Sequence, residues 1–83
     1  LSSIPENNLE LITMFPNPNN TGFLHLNGIE KNTSIVVRDI SGKILITESA
    51  STKPININGL SKGVYLVTFY KNESSATRKL IVE

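Results

Sequence analysis

The feature that most constrains this 83-residue chain is a series of short, β-branched runs. Turn residues separate these runs at intervals of about ten positions. Residues 34–39 are rich in Val and Ile, and residues 64–70 combine Val with Phe and Tyr. These residue types fit a pleated, half-buried surface. No window repeats apolar residues at the spacing of an amphipathic helix, so the chain is predicted to be all-β.

The runs and the turn residues that bound them predict seven strands. Their expected bounds are residues 9–14, 22–26, 34–39, 43–48, 55–58, 64–70 and 76–82. Pro54 at the start of the fifth run indicates an edge strand. The sixth run is apolar on both faces, as a central strand should be. Because all connections are short, we predict a seven-stranded antiparallel immunoglobulin-like β-sandwich.

Proline, glycine and aspartate mark the places where the predicted sheets are interrupted. Pro16 and Pro18 cannot donate ladder hydrogen bonds, so the chain is expected to leave the sheet after the first strand. Residues 39–42 are predicted to form a tight hairpin turn, because an initial Asp bonds to backbone amides and a final Gly tolerates positive φ. The expected fold-defining positions are Pro16, Pro18, Gly22, Asp39, Gly42, Gly59 and Gly63.

The composition excludes several classes of partner. A net charge of +1 with 18% charged residues provides no basic face, so no nucleic-acid partner is expected. The absence of cysteine excludes disulfides and cysteine-based metal sites. No apolar run approaches the ~18–20 residues that span a bilayer, so no direct membrane insertion is expected.

The length allows one domain, which is expected at residues 9–83. Residues 1–8 carry Ser, Pro and Asn and are expected to be the tail of an interdomain linker. The chain begins at Leu1 and has no basic region followed by an apolar segment, so it carries no recognisable signal peptide. We therefore expect a piece of a longer precursor, covalently fused to an upstream domain.

No residue pattern points to catalysis, to a metal or to a cofactor. His25 lies in mid-strand without an acidic neighbour in sequence, and Ser41 is not on a nucleophile elbow. Asp39 is the single aspartate, and the glutamates are scattered, so no calcium loop is expected. No glycine-rich phosphate loop opens a helix. The chain is expected to have no enzyme activity and no cofactor.

Carbohydrate binding is the alternative function, since small β-sandwiches bind sugars through exposed aromatic platforms. The aromatic residues are Phe15, Phe23, Tyr65, Phe69 and Tyr70. Most of them fall inside predicted strands, which favours core or cross-strand packing. A fibronectin-like spacer without a signal role is a further alternative.

Four segments carry motifs in a fixed order along the chain. They are F-P-N-P at residues 15–18 followed by Gly22, V-R-D-I-S-G-K at 37–43, I-N-G-L-S-K-G-V-Y-L-V at 57–67 and T-R-K-L-I-V at 77–82. The ordered set resembles the type A C-terminal sorting domain of the type IX (Por) secretion system. The corresponding motifs of that family read YPNP…G, V.D..GK, L..L..G.Y.V and..KKLIV. Phe15 stands where the family more often has tyrosine, and Glu83 where many relatives end with a basic residue.

The resemblance implies a seven-stranded sandwich, in agreement with the strand count made from the residues. It also implies a role as a sorting signal in a secreted or cell-surface protein of Bacteroidetes. In the family, a fused cargo passes through the periplasm and then through an outer-membrane translocon. A surface sortase-like protease removes the domain afterwards, and cleavage is expected at or before residues 1–8.

A sorting signal without an active site must act as a presented shape. A terminal strand is the easiest element to present, because its edge or its end can add to a partner's sheet. The candidate translocon-recognition residues are Arg78, Lys79, Leu80, Ile81 and Val82. The two basic residues among them can steer encounter with a partner of opposite charge. The alternative is that the last strand only closes the sandwich and that its basic residues are solvated.

Overall fold

The computed structural model describes residues 8–51 and 53–83, and in them a 3-10 helix at Asn8–Leu11 precedes seven β-strands. The strands are β1 Thr13–Phe15, β2 Phe23–Asn27, β3 Ser34–Asp39, β4 Ile44–Ser49, β5 Ile55–Asn56, β6 Gly63–Lys71 and β7 Ser74–Val82. The predicted all-β class with seven strands is confirmed. Residues 1–7 of the predicted linker lie outside the described residues.

The predicted first strand, residues 9–14, is wrong in its N-terminal part. The 3-10 helix takes its place, and only Thr13–Phe15 is extended. Leu9 and Ile12 are both buried, whereas Leu11 is 70% exposed. A three-residue spacing of buried side chains matches one turn of 3-10 helix, while a strand would bury alternate residues. The amide of Ile12 closes the turn by donating to the Leu9 carbonyl at 3.2 Å.

The strands pair into two antiparallel sheets with the orders β1-β2-β5 and β4-β3-β6-β7. The sixth strand lies inside the larger sheet, and β5 lies at an edge of the smaller one, so both predicted positions are confirmed. Strand β7 forms an edge of the four-stranded sheet and pairs with β6 from Lys71↔Ser74 to Gly63↔Val82. The last strand is therefore fixed along one side by its neighbour and has its other side directed away from the sheet.

A single apolar cluster includes residues from both sheets. It contains Leu24 and Ile55 from the smaller sheet, and Ile35, Val37, Tyr65, Val67, Phe69 and Leu80 from the larger one, with Leu9, Ile12 and Ile57 from the connections. Alternation places every second residue of β6 in this cluster, because successive side chains of a strand point to opposite faces. The inner face of the four-stranded sheet is thus the core face, and the other is its outer face.

Candidate recognition surface

The five candidate recognition residues on β7 do not form one surface. Leu80 has no exposed area and lies opposite Tyr65 in the core, and Val82 packs against the same cluster. Arg78 shares their face by alternation. Lys79 is exposed and Ile81 is half-buried, and both point to the outer face. Only these last two side chains are placed where a partner could contact them without displacing the core.

Arg78 bonds within the domain. One guanidinium nitrogen, Nη2, donates to the carbonyl oxygens of Leu9 and Ile12, both at 3.3 Å. The side chain is half-buried, so its charge lies against the C-terminal end of the 3-10 helix, where backbone carbonyls attract a cation. Arg78 therefore ties the last strand to the first element of the chain, rather than projecting as a solvated basic residue.

The free edge of β7 is covered by residues 16–19, which we call the latch. The side-chain amide of Asn17 donates from Nδ2 to the Lys79 carbonyl at 2.8 Å and accepts at Oδ1 from the Ile81 amide at 3.0 Å. Donation to the carbonyl of residue i and acceptance from the amide of residue i+2 is how the backbone N–H and C=O of one residue in a parallel neighbouring strand would bond to this edge. One side chain thus takes the place of a strand partner.

Asn19 extends the same cover through its backbone. Its amide donates to the Ile81 carbonyl at 2.7 Å, and its carbonyl accepts from the Glu83 amide at 2.8 Å, which gives a parallel bridge to Val82. Covering an edge with a loop is one way in which proteins prevent unwanted strand pairing. Addition of a partner's strand at this end of β7, which stays a prediction, would therefore have to displace the bonds to the Lys79 carbonyl, to Ile81 and to the Glu83 amide.

The side chain of Asn19 organises the latch from inside. It is 1% exposed, and its Nδ2 donates to the carbonyls of Pro16 at 3.2 Å and Phe23 at 2.7 Å. Its Oδ1 accepts from the amides of Thr21 and Gly22, both at 3.1 Å. All four hydrogen-bonding positions of the amide are used. Asn19 was not among the expected fold-defining positions, although Asn is a residue that bonds to backbone groups two or three positions away.

The predicted hairpin at residues 39–42 has the expected turn geometry. Asp39 Oδ1 accepts from the Ser41 hydroxyl at 2.6 Å, the Ser41 amide at 2.9 Å and the Lys43 amide at 3.0 Å. These donors, the Ser41 hydroxyl first, hold the pKa of Asp39 below its ordinary value. Gly42 closes the turn at a φ of 98°, which L-residues rarely adopt.

The other expected fold-defining residues differ in what they contribute. Pro16 and Pro18 both follow cis peptide bonds, and both lie in the latch. Gly22 and Gly63 have positive φ values of 86° and 152°. Gly59 does not share this property, and a Cβ added there would have no neighbour within 4 Å. The prediction that Gly59 supplies a permissive φ is therefore wrong, because the loop passes through that position in an ordinary conformation.

The residues considered for chemistry have packing roles. His25 stacks on Phe15, its cross-strand partner, with ring centroids 5.3 Å apart. Tyr65 and Phe69 are buried in the core, while Tyr70 bonds through its hydroxyl to Arg38. Within residues 8–51 and 53–83, no group of three or more His, Cys, Asp or Glu side chains could hold a metal ion. In the part of the chain that the structure describes, no helix is long and apolar enough to cross a membrane.

Comparison with known proteins gives a family and a similar solved structure. The model of the family described as the secretion system C-terminal sorting domain matches residues 13–83. A chain from the structural study of PorZ, an essential surface component of the type-IX secretion system of Porphyromonas gingivalis, superimposes with a TM-score of 0.80 at 20% identity. The match covers 98% of this chain and 12% of that one, and it shows a shared fold. No match is found among curated proteins.

Proposed function

Because the chain belongs to the family of secretion system C-terminal sorting domains, we propose that its folded form is what an outer-membrane translocon reads on a fused cargo protein. The chain is a C-terminal sorting signal of the type IX secretion system. The family is one of sorting signals rather than enzymes, and the proposed role needs no catalytic group. The cargo upstream carries whatever activity the whole protein has.

The latch is the observation that supports reading of a folded shape. The first family motif bonds to the last one, since Asn17 contacts Lys79 across 62 positions of sequence. Two segments this distant come together only when both sheets have formed. A translocon that requires both segments in contact therefore admits folded domains and rejects unfolded chains. The proposal is that folding of the tag is itself a condition for passage.

The two sheets are proposed to form an immunoglobulin-like sandwich. Seven antiparallel strands in sheets of three and four, sharing one apolar cluster, support this arrangement. Such a sandwich presents two outer faces, which suits a domain that is recognised from outside.

After passage, a surface sortase-like protease is proposed to remove the domain, leaving the cargo secreted or on the cell surface. The export route through the periplasm belongs to the same proposal. Cleavage is expected at or before residues 1–8, ahead of the 3-10 helix whose carbonyls bond to Arg78. Mass spectrometry of the released domain should find its N-terminus there. An N-terminus inside β2 or β3 would contradict this, because cleavage there would open the core.

The test is a secretion assay with the full chain. An export signal and a fluorescent reporter are fused ahead of residues 1–83 and expressed in a type IX-competent cell, with the reporter lacking the chain as control. Reporter at the surface or in the medium only with the chain attached is the expected result. Periplasmic retention of the fusion, with the domain shown to be folded, would overturn the proposal.

Deletion of residues 78–83 would not be a clean test of recognition. It removes Leu80, which has no exposed area, together with the edge that the latch covers. Loss of a buried leucine costs about 2–5 kcal/mol, enough to unfold a domain of this size. Surface substitutions that leave the core intact separate recognition from folding.

A further inference from the structure

The outer face of the four-stranded sheet carries an apolar patch that the core does not use. Thr68 Oγ1 lies 3.1 Å from Thr77 Oγ1 and accepts from Arg38 Nη1 at 3.4 Å, so these three side chains share this face. Alternation along β3, β6 and β7 then identifies their neighbours, and Ile44 of β4 is the partner of Arg38 at the point where the register of β3 and β4 shifts. We call the following six residues the outer patch: Arg38, Ile44, Val64, Leu66, Lys79 and Ile81.

Register brings the outer patch together across all four strands. Ile44 lies opposite Arg38, which in turn lies opposite Leu66, and Leu66 lies opposite Lys79. Val64 is paired with Ile81 in the next row. Ile44 is 53% exposed and Val64 is 40% exposed. Contiguous exposed apolar side chains on a sheet face, bordered by polar groups, are typical of a protein interaction site.

Within the four strands, the charged side chains of this face have one sign. Arg38 and Lys79 flank Leu66 on its two neighbouring strands, and among the described residues neither forms an ion pair. Alternation places Asp39 and Glu48, the acidic residues of β3 and β4, on the opposite side of the sheet. Arg38 is held in place by two contacts with Tyr70. Its Nη2 donates to the Tyr70 hydroxyl at 3.1 Å, and its Cζ lies 5.9 Å from the centroid of the Tyr70 ring. The patch therefore presents an apolar centre between two cations, of which Arg38 is held in place.

We propose that the outer patch is the docking face for the secretion apparatus, and that the partner is a protein surface whose apolar centre is flanked by carboxylates. This inference rests on the proposed sorting function. The latch closes the edge of β7, so recognition of the last strand has to use its outer face. Lys79 and Ile81 lie in the patch, whereas Arg78, Leu80 and Val82 are committed to the domain's interior.

The experiment compares substitutions on the outer faces of the two sheets, at apolar side chains of similar exposure. The variant Ile44→Thr/Val64→Thr removes apolar area from the outer patch and keeps β-branched residues in the strands. The control Phe23→Thr removes area from the outer face of the smaller sheet, where Phe23 is also 40% exposed. A third variant, Lys79→Glu, reverses one flanking charge. Circular dichroism melts of each isolated chain establish that it folds before its reporter fusion is assayed.

The patch variant is expected to lower the secreted fraction about tenfold, the scale expected when an interface anchor is lost. Lys79→Glu should reduce it about threefold or more through slower encounter. The control should secrete as the unaltered chain does. Failure of the unaltered chain to secrete would count against the sorting function, whereas normal secretion of a folded patch variant would overturn the docking face alone.

Anionic lipid is the other chemistry that an apolar, cationic face could contact. Vesicles of phosphatidylcholine with phosphatidylglycerol serve as the probe for it. No co-sedimentation of the chain with these vesicles is expected if the partner is a protein. Binding that depends on Ile44, Val64 and Lys79 would overturn the protein-partner inference in favour of a membrane surface.

Discussion

Exchange of one buried amide for a carboxylate, Asn19→Asp, provides the most direct test of how the latch is held. The substitution keeps the shape of the side chain and removes its two donors. The carbonyls of Pro16 and Phe23 then face an oxygen instead of Nδ2, at separations that are 3.2 and 2.7 Å in the present structure. The two acceptor contacts from Thr21 and Gly22 are retained. The change therefore isolates the donor half of the network.

The expected cost is large because Asn19 is 1% exposed. Each of the two lost hydrogen bonds removes about 0.5–1.5 kcal/mol from the free energy of unfolding. Burial of a carboxylate that faces two carbonyls brings the total loss to roughly 3–5 kcal/mol. A domain of this length is expected to have about 4–12 kcal/mol of stability. Unfolding followed by circular dichroism should show a fall in Tm of roughly 15–30 °C at neutral pH.

Asn17→Asp is the matched control. It makes the same chemical change at an exposed side chain, where the bond to the Lys79 carbonyl is lost but the charge stays in water. The bond from the Ile81 amide to Oδ1 is retained. The expected cost is about 1 kcal/mol. If Asn19→Asp lowers Tm no more than Asn17→Asp does, then burial of the amide does not organise the latch and the reasoning is refuted.

The same variant has a pH dependence of known sign. Burial raises the pKa of the new carboxyl at position 19 above its unfolded value of about 3.9. A group with a raised pKa binds its proton more tightly in the folded state, so the variant loses least stability below the unfolded pKa. Its loss of stability relative to the unaltered chain grows as pH rises through the folded pKa. Melts from pH 3.5 to 7.5 should show that trend, and a difference independent of pH would contradict it.

Three further predictions concern the turns and the last strand. Ser41→Ala should raise the pKa of Asp39 toward its ordinary value in an NMR titration, because the Ser41 hydroxyl is the largest cause of its lowering; an unchanged pKa would refute this. Gly22→Ala should cost about 1–3 kcal/mol since φ is 86° there, whereas Gly59→Ala should be neutral or stabilise by up to ~1 kcal/mol in urea titrations; equal effects would contradict the assignment. Arg78→Met should lower stability by about 1–3 kcal/mol by removing the bonds to the 3-10 helix, and no change in Tm would show those bonds to be unimportant.

Local chemistry explains why much of the fold was predictable. The predicted strand at 34–39 coincides with β3, and those at 43–48 and 64–70 differ from β4 and β6 by about one residue at either end. Period-2 alternation and β-branched content act within a few residues, so their outcome does not depend on distant partners. The Asp39 turn is equally local, since every bond that it makes lies within four positions.

The misplaced first strand and the role of Arg78 share a different cause. Residues 9–14 contain enough apolar side chains for a strand, but which of them are buried depends on the sheet that they meet. In the structure, Leu9 and Ile12 fill the core beside Leu80, and Arg78 bonds to the carbonyls of the resulting turn. Neither arrangement has a signal within five residues of the chain, so sequence patterns favoured the regular strand.

The fold class, the hairpin turn and the family of this domain were predictable, because alternation, turn chemistry and ordered motifs are all read along the chain. Which surface remains for a partner depends instead on how the sheets pack. The edge of β7 is closed by Asn17 and Asn19, from more than sixty positions away, and the outer patch exists only because four strands align in register. Contacts of this range depend on how two sheets pack, which no local propensity encodes.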